Sequence, residues 1–152
     1  MCTFFADEIP MPYCGSDPPN AREELILARM NLKKLSSPEN YEDFRKKISD
    51  LLTKDSKDWN EGNLREALKS FSNGLQERLQ SDQKVQNGDF KGTIKILGNL
   101  CCALKRGVGA RCKVGRMVGN LTMLSKAGPK TPKAKFKYVA NLIRIHVDDL
   151  DF

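Results

Sequence analysis

From residue 20 to residue 147 the apolar positions of this 152-residue chain recur every three or four residues, the period of a helix with one buried side. Leu25, Ala28, Leu32 and Leu35 form the first stripe, and Asn20 before it is a residue type that accepts an orphan helix amide. Glu23 and Glu24 near its start and Lys33 and Lys34 near its end match the helix dipole. A second helix is predicted to open at Ser37-Pro38, a cap residue followed by proline at the first helical position. Its stripe is Tyr41, Phe44, Ile48 and Leu51, and its wet side offers Glu42 to Lys46 and Asp43 to Lys47 as i,i+4 pairs. Asp55 to Gly62 reads as a connector, with Trp59 packing back on the core.

The stripe Leu64, Leu68, Phe71, Leu75, Leu79 runs through Asn73-Gly74, which predicts either one kinked helix or two short ones. Asn87-Gly88-Asp89 marks a break. Beyond it, Phe90, Ile94, Leu97, Cys101 and Leu104 define a helix that Gly107 and Gly109 loosen. Val114, Met117, Val118, Leu121 and Leu124 suggest another, and after a loop at 127–132 a last helix carries Phe136, Val139, Ala140 and Ile143. The alternation around Ile94 and Ile96 is too short to predict a strand, and no internal repeat is present.

The pattern therefore predicts an all-α protein, a single compact bundle of five or six helices. Residues 1–19, with Pro10, Pro12, Pro18 and Pro19 and no periodicity, read as an extended Pro-rich N-terminal arm anchored by Phe4, Phe5, Ile9, Met11 and Tyr13. Residues 20–152 form the helical domain. Apolar residues at 39% and charged residues at 30% exclude a disordered chain, and no apolar run is long enough to span a bilayer as a helix. The first residues turn acidic at once and lack a basic segment, so a secretory signal is not expected and the expected location is cytoplasmic or nuclear. No lipidation motif is present. With no export signal, the five cysteines, Cys2, Cys14, Cys101, Cys102 and Cys112, are expected as reduced thiols.

Charge changes the picture more than composition does. Residues 1–82 hold 12 Lys+Arg against 15 Asp+Glu, and residues 83–147 hold 14 against one. Cations gathered on one folded face displace counterions from a polyanion, with little sequence information. The candidate contact residues are Lys91, Lys95, Arg106, Arg111, Lys113, Arg116, Lys130, Lys133, Lys135 and Lys137. Lys91, Lys95, Cys102 and Arg106 fall on one side of their helix, opposite its apolar stripe. Phe90 and Phe136 read as core, so backbone and shape contacts are expected over base readout. The bland alternative is a set of solvated charges offset by acids of the first half.

Other constellations carry less. Gly107-Val-Gly109-Ala-Arg-Cys112-Lys113 has cysteine where a phosphate loop or dinucleotide pattern requires glycine, which argues against a nucleotide cofactor; its turn amides, with Arg106 and Arg111, can still meet a phosphate. Gly115 and Gly119 have the spacing of a close helix contact. Lys130 to Lys137 has the composition of an import patch without its density. Cys101, Cys102, Cys112 and His146 would make a Cys₃His set, but paired zinc-ligand spacing is missing, so no metal is expected. His146, the only histidine, lies at the edge of an apolar face, and no nucleophile–base pair or carboxylate pair stands out. The segment Phe90-Lys-Gly-Thr-Ile-Lys-Ile-Leu-Gly-Asn-Leu100 resembles a helix of the translation-factor scaffolds built from paired helices, over too short a stretch to imply a fold or a residue role.

The expectation is thus a non-enzymatic nucleic-acid-binding protein without a cofactor, RNA favoured, or a binder of another polyanion. A helical adaptor or self-associating module is the second reading, from the opposed charge of the two halves. Peripheral attachment to an anionic membrane is the third.

Overall fold

The computed structural model describes residues 20–36, 38–81, 84–109 and 131–148. They form an all-α five-helix bundle, with no strand among the described residues. The helices are α1 (Ala21–Leu32), α2 (Glu42–Leu52), α3 (Glu61–Gln80), α4 (Asn87–Val108) and α5 (Pro132–Asp148). The arm at 1–19 and the helix expected around Val114 to Leu124 lie outside the described residues.

Every predicted stripe that falls on the described residues faces one core. Leu25, Ala28, Phe44, Ile48, Leu68, Phe71, Ile94, Leu97, Phe136, Val139 and Ile143 are fully buried. Trp59 packs back as predicted and donates its indole N–H to the Leu51 carbonyl at 2.8 Å. Asn20 caps α1 by accepting from the Glu23 amide at 2.9 Å, and Thr131 caps α5 by accepting from the Ala134 amide at 3.2 Å.

Two local expectations differ, and a third, left open between two readings, is decided. Pro38 starts a 3-10 turn (Pro38–Tyr41), and the α-helix begins only at Glu42, because Tyr41 turns inward and is buried. Glu42 pairs with Arg45 and Asp43 accepts from the Ser70 hydroxyl at 2.6 Å, in place of the predicted lysine partners. Of the two readings of Asn73-Gly74, one helix or two short ones, the structure has the single helix: α3 runs continuously for 20 residues. Gly74 is there for space: a Cβ would stand 2.6 Å from the Tyr41 ring and 3.1 Å from the Asn40 carbonyl oxygen.

The longest helix, α4, is buried around most of its circumference, with Ile96, Leu100 and Ala103 buried as well as the predicted stripe. Helix α1 lies antiparallel against it. Ala21 meets Gly107 at one end, and Leu35, just past α1, meets Gly92 at the other, where a Cβ would stand 2.4 Å from the Leu35 side chain. Midway, Asn99 donates to Glu24 at 2.9 Å and accepts from Asn31 at 3.1 Å. Burial raises the Glu24 carboxyl above its ordinary pKa, against the hydrogen bond from Asn99 and the charge of Arg106. Helix α5 packs on α3 and α4, with Gln76 donating to the Ala140 carbonyl and the Lys135 ammonium 5.8 Å from the Phe90 ring centroid.

Candidate functional site

One end of the bundle is closed by a buried polar clasp. Arg78, in the last turn of α3, is 1% exposed. Its guanidinium donates to the Ser36 hydroxyl at 2.8 Å and to the Lys84 carbonyl at 2.7 Å, and stands 3.7 Å from the Asp89 carboxylate. Asp89, in the first turn of α4, accepts from the Ser36 and Gln86 amides, both at 2.8 Å, and from the Ser36 hydroxyl. The expected break at Asn87-Gly88-Asp89 is therefore a helix start, capped by Asp89 reaching back to Gln86. Burial and the Asp89 charge push the neighbouring Tyr41 hydroxyl far above the usual phenol range.

The clasp decides where charge shows. Asp89 is the one acid among residues 83–147, and it is turned inward against Arg78. Around it, four chain segments bring lysines to the same end. Lys33 and Lys34 follow α1 just before Leu35 and Ser36, which touch Gly92 and Asp89. Lys84 precedes α4 with its carbonyl on Arg78. Lys91 follows Phe90 on α4, and Lys133 and Lys135 sit in the first turns of α5, where Lys135 reaches the Phe90 ring. Lys33, Lys34, Lys84, Lys91 and Lys133 are exposed, and Lys135 is half-buried. Lys95 and Lys137 stand about one helical turn further along α4 and α5. None of these eight lysines is in an ion pair among the described residues. Glu39 and Glu77 are exposed acids described nearby, both on the side of the 3-10 turn.

The predicted contact set is thus divided. Lys91, Lys95, Lys133, Lys135 and Lys137 gather at or beside this end, whereas Arg106 lies about 22 Å from Lys91 along the axis of α4. Arg111, Lys113, Arg116 and Lys130 lie outside the described residues. Lys33, Lys34 and Lys84 were missed because the first two belong to the net-acidic half, and the third precedes the predicted helix. Only the antiparallel packing of α1 on α4 brings Lys33 and Lys34 alongside Lys91.

Arg106 instead lines an open cleft of about 400 Å³ with Asn20, Ala21, Ser56, Lys57 and Gly107. Cations alternate with acids there: Lys57 pairs with Asp55 at 3.9 Å and Arg65 with Glu61 at 2.6 Å, while Glu23 and Asp58 are exposed. Of the glycine-containing turn expected to offer amides to a phosphate, the described part, Gly107 to Gly109, is the C-terminus of α4. Gly109 takes a left-handed cap at φ 67°, and its amide donates to the Lys105 carbonyl at 3.1 Å. A helix C-terminus presents the negative end of its dipole, which disfavours an anion.

The cysteines also depart from expectation. Cys101 is a buried thiol, but Cys102 is disulfide-bonded and buried, so the expectation of reduced thiols fails at Cys102 and its sulfur is not available to a Cys₃His set. Cys112 and the side chain of His146 lie outside the described residues. Among the described residues no helix is long and apolar enough to cross a membrane.

Fold and site together define a five-helix bundle in which, among the described residues, one end carries lysines that form no ion pair and the other carries mixed charge. In comparisons with known proteins, the chain matches no family model, no curated protein and no solved structure.

Proposed function

We propose that the protein is a non-enzymatic nucleic-acid-binding protein, RNA favoured, that meets its ligand with the lysine-bearing end of the bundle. The observation that carries this reading is the inward turn of Asp89, which leaves Lys84, Lys91, Lys133 and Lys135 without a partnering acid from their own half. Lys33 and Lys34 enlarge the contact surface to cations from both halves, with Lys95 and Lys137 at its edge. Arg106, at the far end, is left out of it. A contact area the width of a small bundle covers a few phosphates, which suits a loop or an unpaired end of RNA better than a long duplex. A cytoplasmic or nuclear location goes with this reading, and the Cys102 disulfide counts against it.

The test is a titration of labelled single-stranded RNA, duplex DNA and heparin in rising salt. With four to six phosphates contacted, the logarithm of the RNA affinity should fall with the logarithm of salt at a slope of roughly −3 to −4. No binding at low salt, or an affinity that ignores salt, ends the proposal. Heparin bound as tightly as RNA reduces it to a general polyanion site.

A further inference from the structure

Helix α5 has two apolar sides. Phe136, Val139, Ala140, Ile143 and Val147 face the core and are buried. On the opposite side Tyr138 is 39% exposed and Ile145 is 47% exposed, with half-buried Leu142 between them. The spacing of i, i+4 and i+7 puts the three on one outward ridge. At about 100° per residue, Lys137 stands about 100° from the ridge on one side and Lys135 about 50° from it on the other. From Pro132 to Val147 every charged residue is a cation. A helix side that faces only water is ordinarily polar. Here water meets an aromatic and two aliphatic side chains, fenced by lysines.

We propose that this ridge docks on the surface of an anionic lipid bilayer. A bilayer is the occupant that satisfies both parts of the pattern at once. Its headgroups present negative charge to the lysines on both sides of the ridge, and its acyl boundary accepts Leu142 and Ile145. The tyrosine ring, apolar with a polar tip, suits the headgroup level, and lysine stems lie along apolar surface while their ammonium groups stay in water. A nucleic acid matches the lysines but offers nothing to Leu142 and Ile145. The proposal shares Lys135 and Lys137 with the RNA reading and is told apart from it by Tyr138, Leu142 and Ile145, which that reading does not use.

The experiment floats the full chain with vesicles of phosphatidylcholine alone and of phosphatidylcholine with about a third phosphatidylserine, in moderate salt. Binding to the anionic vesicles should exceed binding to the neutral ones by about tenfold or more. The double variant Tyr138→Ser with Ile145→Asn removes exposed side chains only, so its circular dichroism and melting should match the parent. It should lose about tenfold in vesicle binding while its RNA affinity is unchanged. Four results overturn the proposal: no flotation with anionic vesicles, equal flotation with both, a double variant that floats as well as the parent, or a double variant that loses RNA binding. A concentration-dependent dimer abolished by the same double variant also overturns it, by giving the ridge to a second copy of the chain.

Discussion

The two ends of the bundle are built from the same kinds of segment, helix termini joined by short turns, yet they differ in how charge is arranged. At the α1 N-terminal end, acids stand beside cations, and Lys57–Asp55 and Arg65–Glu61 close on each other in water. Exposed pairs of this kind contribute little to stability, but they cancel the field a distant anion would feel. At the clasp end the one acid among residues 83–147 is buried against Arg78, and the lysines around it form no ion pair among the described residues. The lesson concerns where a counter-charge sits. A carboxylate buried against Arg78 is not available as a surface counter-charge to the lysines around it. The contrast between residues 1–82 and 83–147 is therefore a poor guide to the surface, because antiparallel helices carry each half to both ends.

The hardest blow to this contrast is Asp89→Ala, which leaves the Arg78 guanidinium buried without its carboxylate. It should cost about 3–5 kcal/mol in a urea titration, and a loss under about 1 kcal/mol would show that the clasp does not hold this end together. Next comes charge reversal. Lys33→Glu with Lys34→Glu and Lys91→Glu should weaken RNA binding by about 100-fold or more, while Lys57→Glu with Arg106→Glu at the other end should change it by less than about threefold. Equal losses from both sets would erase the distinction between the ends. Gly74→Ala should destabilise by about 1–3 kcal/mol despite the better helix propensity of alanine, since the Cβ meets the Tyr41 ring on the α3 face that seats the 3-10 turn. A stabilised variant, read by thermal melting, would contradict the close approach.

The smallest effect is expected at Glu24, between α1 and α4. Its folded pKa is raised by burial, so the group favours folding most below its unfolded pKa, and that contribution is lost as pH rises through the folded value. Glu24→Gln keeps an acceptor for Asn99 and removes the buried charge, so it should stabilise the protein at neutral pH by up to about 1 kcal/mol. It should also flatten the pH dependence of stability between mildly acidic and neutral conditions. A variant less stable than the parent at neutral pH would mean that the attraction of Arg106 outweighs the cost of burial.

The core was legible in the sequence because helical burial is a local signal. Phe44, Ile48, Phe71, Ile94, Leu97 and Phe136 repeat at the helix period, and the fold needs only to bring those stripes together. The cap at Asn20 is legible as a local signal too, whereas Thr131 and Pro132, read as the end of a loop, are the cap and first residue of α5. What escaped depends on contacts between segments far apart in the chain. Gly74 reads as a breaker until Tyr41 is known to lie against it. Lys33 and Lys34 read as an ordinary helix end until Ser36 is known to lie on Asp89. One local signal for the clasp was available: Gln86 followed three residues later by Asp89 has the spacing of a helix cap, which would have turned that carboxylate from the surface toward the backbone.

The clasp also has a kinetic side. Through Arg78, Asp89 and Ser36 it ties the last turn of α3, the first turn of α4 and the loop after α1, so those segments cannot fray one at a time without stranding a buried ion. Helix ends are usually the first amides to exchange with deuterium. Here the amides of Ser36 and Gln86 should exchange among the slowest, opening only when the whole domain unfolds.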